Sequence, residues 1–183
     1  DERLEHFTSL GVAVSLMCRN PLLEYGPKAF SDHKKGLCTY DVEQVVLAIV
    51  VTTGIASIFL TKDFTPAYNS GLAHAVFYAL TQYPVIEQRH LHGEVVGFGV
   101  LLALLVDGQE EEFEKVYQLN REIGLPVSLE QIEITEDEWK ESMERIPEMS
   151  DVAHYPYKVT REMLEDAMQK LKERVRKDQS HEE

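Results

Sequence analysis

Apolar residues recur along most of the chain at the three- to four-residue spacing of helices, and no segment shows the strict alternation typical of a β-strand. Charged residues, glycines and prolines separate the apolar stretches, so each stretch is predicted to form its own helix. The predicted helices span residues 4–19, 21–30, 40–60, 69–83, 92–107, 110–123, 135–145 and 160–176. The predicted fold class is therefore all-α, a bundle of about eight helices.

Several helix ends carry local signals. Pro21 should end the first helix, because proline removes a backbone donor inside a helix. Thr39 is expected to cap the helix 40–60, and Thr135 with Glu138 has the spacing of a capping box. Gly124 is expected to close the helix before it. These signals predict one helical domain at 1–177 and a disordered polar tail at 178–183.

The most apolar stretch, residues 45–60, raises the question of a membrane helix. It is interrupted by hydroxyl residues and a glycine, and its sixteen residues are short for a bilayer. We therefore expect a buried central helix instead of a membrane span.

Composition narrows the class of partner. The 183 residues are 44% hydrophobic and 27% charged, which is typical of a globular domain with its own core. The net charge of −14 argues against binding nucleic acid or an anionic membrane surface. Two cysteines do not make a disulfide framework, which fits a reducing, cytoplasmic location.

Two histidines are the strongest candidates for chemistry. His74 and His92 each lie in the first turns of a predicted apolar helix, and a short polar connector joins the two helices. Neutral imidazoles at helix ends can hold a divalent metal, which acts as a Lewis acid. The alternative is that both are ordinary core or loop histidines. For the loop residue His90 the interpretations are a replacement ligand, a solvated side chain, or a group that supports a ligand from behind.

The residues around these histidines resemble a known family. Gly71-Leu-Ala-His-Ala-Val and Leu91-His-Gly-Glu-Val-Val-Gly-Phe-Gly are similar to the C-terminal, metal-binding helical domain of the iron-containing alcohol dehydrogenases, specifically the glycerol dehydrogenase branch. The resemblance implies that His74 and His92 are metal ligands, with zinc or iron as the metal. It implies Asp1 as a third ligand, whereas the alternative for Asp1 is a frayed terminus.

The resemblance also implies what lies outside this chain. The family binds NAD(P) with an N-terminal domain that this chain lacks, since no glycine-rich dinucleotide fingerprint is present. The parent would be an oxidoreductase of small alcohols or polyols, and this chain alone is expected to be inactive. Its expected partners are a cofactor-binding domain or further copies of itself. Phe77 stands where many glycerol dehydrogenases have another histidine, which puts glycerol itself in doubt.

Two other interpretations stay open. Dehydroquinate synthase shares the two-domain plan and the Leu-His-Gly-Glu motif, but its metal histidine falls at the position of Ser70 here. The chain could also be a non-catalytic helical module that has lost metal and cofactor and binds a partner through an apolar surface.

Overall fold

The computed structural model describes residues 6–61 and 70–182, and every regular element in these ranges is helical. The absence of strands from the described residues confirms the all-α prediction. The eight main helices are α1 (His6–Lys34), α2 (Tyr40–Leu60), α3 (Leu72–Leu80), α4 (Pro84–Arg89), α5 (His92–Val106), α6 (Glu110–Ile123), α7 (Glu136–Arg145) and α8 (Arg161–Glu182). The chain divides into two compact units, residues 1–69 and 70–183.

The first unit is built on α1 and α2. Gly11 near the start of α1 lies against Phe59 and Leu60 at the end of α2. At the other end, Lys28 of α1 pairs with Asp41 of α2 at 3.2 Å. The two helices therefore run antiparallel.

The expected break at Pro21 is wrong, because α1 runs through both Pro21 and Pro27 as one helix. A proline inside a helix costs roughly 3 kcal/mol. Here α2 holds α1 on both sides of the prolines, through the contacts at its two ends, and this tertiary support outweighs the local cost. Thr39 does precede α2, but its hydroxyl donates to Asp32 Oδ2 at 2.8 Å instead of capping the helix.

The expectation that the apolar helix is buried is also wrong. Residues Ala48–Thr52 of α2 form a π-helical turn, and only 11% of the most apolar stretch of α2 is buried. Aliphatic side chains surround the helix, so one neighbour cannot cover them all, and Val50 and Ile58 stay 67% and 74% exposed. At 21 residues α2 is long and apolar enough to cross a membrane, by length and composition only.

The second unit has the main core. α3 and α5 are its most buried pair, and α6, α7 and α8 pack around them. Gly99 of α5 lies directly on the backbone of Ala73 in α3, where an added Cβ would come within 2.6 Å of the Ala73 carbonyl oxygen. This close crossing fixes the spacing between α3 and α5.

Local capping signals in this unit are confirmed. Thr135 Oγ1 accepts a hydrogen bond from the Glu138 amide, and Glu138 accepts one in return from the Thr135 amide. Gly124 closes α6 in the left-handed conformation with φ 80°.

The prediction of a disordered tail is wrong over most of its length, because α8 continues to Glu182.

Asp178 in that last part of α8 belongs to an ion cluster that ties α8 to α6. Arg174 donates two hydrogen bonds of 2.8 Å to the Glu114 carboxylate and also pairs with Asp178. Asp178 Oδ2 accepts from the Tyr117 hydroxyl at 2.9 Å and from Arg121 at 2.6 Å. The cluster fixes the C-terminal part of α8 against α6, which the polar composition of this segment did not indicate.

We expect this cluster to make the second unit sensitive to acid. The Arg174 guanidinium holds the pKa of Glu114 below its ordinary value. Burial raises the pKa of Asp178, but hydrogen bonds from Arg174 and Tyr117 outweigh it, so the pKa ends below its ordinary value. The stabilisation is therefore complete above the ordinary carboxyl range of about 4 to 4.5 and is lost as the pH falls through the lowered pKa values.

The measurement is urea unfolding of the wild type and Arg174→Met between pH 7 and pH 3. At pH 7 the variant should lose about 1–2 kcal/mol, and its free energy of unfolding should fall less steeply below pH 4. Equal acid dependence in the two proteins would show that other carboxylates control the transition.

Candidate metal centre

The crossing of α3 and α5 brings the two predicted ligand histidines together. His74 follows Ala73, the residue at the crossing, and His92 lies two turns before Gly99. The ring centroids of His74 and His92 are 5.6 Å apart, and the ring planes are tilted by 43°. Two histidines eighteen residues apart in sequence therefore share one site because their helices touch at a glycine.

Electrostatics keep one of these rings neutral. Burial lowers the pKa of His74, the neighbouring His92 ring lowers it further, and Asp151 acts in the opposite direction. A lowered pKa leaves the imidazole unprotonated at neutral pH, which is the form that binds a metal.

Aromatic side chains line the same region. The Phe77 ring meets the His92 ring edge to face at a centroid distance of 4.4 Å. Tyr78 lies 6.5 Å from the His74 ring and is about half exposed. The surroundings of the two imidazoles are thus apolar on one side, and Phe77 packs against His92 directly.

The starts of both helices are held by side chains. The Leu72 amide at the start of α3 donates to the Tyr155 hydroxyl at 3.2 Å. The Leu91 amide before α5 donates to Glu94 Oε2 at 2.8 Å. Glu94 therefore supports the start of the helix that carries His92.

Sequence reasoning did not assign a role to Asp151 or Tyr155. Both belong to the turns before α8, far from His74 along the chain, yet these turns pack against α3. The local sequence indicates only a polar turn with a proline. It does not indicate which helix the turn packs against.

The pair has the donor chemistry of a metal site. Imidazole nitrogens bind zinc at about 2.0–2.1 Å, so two rings on one tetrahedral ion would have centroids about 5 Å apart. The observed 5.6 Å is compatible with that arrangement. Among the described residues there is no group of three or more potential ligands. Asp1, the predicted third ligand, lies outside the described residues.

Comparison with known proteins agrees with the fold and the motifs. No protein-family model matches the chain. Glycerol dehydrogenase of Escherichia coli O6:H1 is 34% identical over 134 residues, which is 71% of this chain and 33% of that protein. A glycerol dehydrogenase structure from Schizosaccharomyces pombe superimposes with a TM-score of 0.75 over 94% of this chain and 43% of the other, at 23% identity.

The chain belongs to the glycerol dehydrogenase family. It corresponds to a C-terminal domain of that family and spans about a third of the length of the sequence relatives it matches. A probable glycerol dehydrogenase from Sinorhizobium meliloti 1021 has the same fold, with a TM-score of 0.72 over 92% of this chain and 46% of the other, at 24% identity.

In this glycerol dehydrogenase relative, the ring in contact with His92 is the phenyl ring of Phe77. A phenyl ring neither donates a conventional hydrogen bond nor binds a metal. Phe77 can therefore shape the region beside His92, but it cannot serve as a ligand.

Proposed function

We propose that this chain is the metal-binding domain of a metal-dependent, NAD(P)-linked alcohol or polyol dehydrogenase. The observation that carries the proposal is the His74–His92 pair, with ring centroids 5.6 Å apart on the two crossing helices α3 and α5. Zinc or ferrous iron suits two imidazoles and a carboxylate. Asp1 is our proposed third ligand, which leaves a position open for substrate.

The metal, when bound, would supply a Lewis acid for the hydroxyl oxygen of the substrate. The residues of this chain would hold the metal and position its ligands. Burial keeps His74 neutral and ready to bind, and Glu94 fixes the start of the helix that carries His92. Phe77 covers one side of the His92 ring. The dinucleotide that accepts the hydride would be bound outside this chain.

The aromatic side chains suggest the class of substrate. Phe77 and Tyr78 offer apolar contact beside the two imidazoles. A site with fewer polar groups cannot form a hydrogen bond with each additional hydroxyl of the substrate. We therefore propose a small alcohol with fewer hydroxyl groups than glycerol as the preferred substrate.

The experiment is zinc and iron binding by the untagged, metal-stripped chain, measured by calorimetry and by elemental analysis after dialysis. Wild type should bind about one ion per chain. His74→Ala and His92→Ala should each weaken binding by more than about tenfold, because a ligand is lost outright. Asp1→Asn tests the third ligand and should weaken binding in the same direction.

The matched control is His33→Ala, which removes an exposed histidine from α1. It should bind metal like the wild type. No binding of either metal by the wild type, or equal loss in the control, would reject the proposed site.

One observation favours a second candidate. The exposed aliphatic side chains of α2 suit a non-catalytic module that binds a partner through an apolar surface. That candidate predicts no specific metal binding and unchanged behaviour of the His74→Ala and His92→Ala variants.

A further inference from the structure

Glu133 has a backbone conformation that glutamate rarely adopts. Its φ is 57°, the only positive φ of a non-glycine residue in the part of the chain that the structure describes. The left-handed region disfavours side chains with a Cβ, and Glu133 is not one of the residues that visit it readily. Its neighbours Ile132 and Ile134 are both buried, so the surrounding core holds the backbone in place.

The Glu133 carboxylate reaches the connector that leads into α5. One oxygen, Oε1, accepts a hydrogen bond of 2.6 Å from Arg89 Nη1. The other, Oε2, lies 3.4 Å from Nε2 of His90. The His90 side chain is only 11% exposed, and its Nε2 has no hydrogen-bond partner of good geometry among the described residues.

His90 continues this chain of contacts to the start of α5. Its Nδ1 lies 3.8 Å from Glu94 Oε2, the same oxygen that accepts the Leu91 amide. Glu133, His90 and Glu94 therefore form one line of polar groups, which runs from the segment after α6 to the first turn of α5. His92 lies in that first turn.

We propose that Glu133 is a positioning residue, which holds the first turn of α5 and through it the His92 imidazole. The inference rests on the proposed function, because it gives Glu133 a role in metal binding. Contact groups behind a metal ligand fix its orientation, and their loss typically weakens metal binding about 10- to 100-fold. The unfavourable backbone conformation of Glu133 is retained because it places the carboxylate beside Arg89 and His90.

Glu133→Gly separates this role from a merely structural one. Glycine adopts a positive φ freely, so the variant loses the carboxylate while the backbone conformation becomes easier. The melting temperature should stay unchanged or rise. Zinc affinity should nevertheless fall, by less than the about tenfold loss typical of a group that touches the ligand directly, because Glu133 acts on His92 only through His90 and Glu94. Glu133→Gln, which keeps the length but not the charge, should also weaken zinc binding.

A second measurement does not need the metal. Amide hydrogen exchange of residues 91–95 in the metal-free chain should be faster in Glu133→Gly than in the wild type, because the first turn of α5 loses its support. Glu130→Gln removes an exposed carboxylate from the same segment and is the control. It should leave both exchange and zinc affinity unchanged.

The outcomes are distinguishable. Faster exchange together with weaker zinc binding at an unchanged or higher melting temperature supports the proposal. Unchanged zinc affinity in Glu133→Gly overturns it, whatever the exchange shows. If the wild type binds no metal, the proposed function fails. In that case, unchanged exchange in Glu133→Gly would also show that Glu133 does not support the first turn of α5. Faster exchange would show that Glu133 supports this turn, without a role in metal binding.

Discussion

Gly99→Ala should destabilise the second unit by about 2–3 kcal/mol, although the change adds a single methyl group. The new Cβ would come 2.6 Å from the carbonyl oxygen of Ala73 and 2.9 Å from its Cα. Both atoms belong to the backbone, so no side chain can move aside, and α3 must shift as a whole. Several residues of α3 and α5 are fully buried, so the shift disturbs the core on both sides.

The change should also weaken zinc binding, because the crossing sets the distance between His74 and His92. Urea unfolding followed by circular dichroism gives the stability, and zinc titration gives the affinity. Gly93→Ala is the matched control in the same helix, where an added Cβ meets nothing within 4 Å. Alanine in place of an unconstrained helical glycine should stabilise by about 0.5–1 kcal/mol. Equal stability of the two variants would show that the helices do not depend on this close contact.

Trp139→Ala should cost about 3–5 kcal/mol, the range for removing a large aromatic side chain from a core. Trp139 lies on α7 and is 1% exposed, and α7 packs against both α3 and α8. The cavity would therefore open beneath the helix that carries His74. Thermal and urea unfolding should both show the loss.

Trp139→Phe is the informative companion. The indole Nε1 is buried and has no hydrogen-bond partner among the described residues. An unsatisfied buried donor costs about 1–3 kcal/mol, so phenylalanine removes that cost while it gives up part of the ring volume. We expect this variant to lose about 1 kcal/mol or less. A loss as large as that of alanine would mean that the indole N–H has a partner in solution, such as a bound water.

Much of the second unit follows from local sequence. Thr135 and Glu138 predict the start of α7, and Gly124 predicts the end of α6, because each satisfies backbone groups within a few residues. The site was also predictable in part. The segments around His74 and His92 resemble those of a metal-binding family, and the structure places the two rings side by side.

Other features depended on distant contacts. Pro21 predicts a helix end, yet α2 supports α1 on both sides of it. Residues 178–182 look like a solvated tail, yet Asp178 is held by Arg174, Arg121 and Tyr117, which no local pattern reveals. α2 looks like a core helix by its apolar content, but burial also requires neighbours on every face.

The sequence by itself determined the helical class, most helix ends in the second unit and the identity of the two imidazoles, because capping and periodicity act within a few residues. Only the tertiary structure decided that Gly99 meets Ala73, that Asp151 acts on His74, and that Glu133 reaches His90. These contacts join residues far apart in the chain. They depend on how buried surfaces pack, and packing is a property of the whole core instead of any one segment.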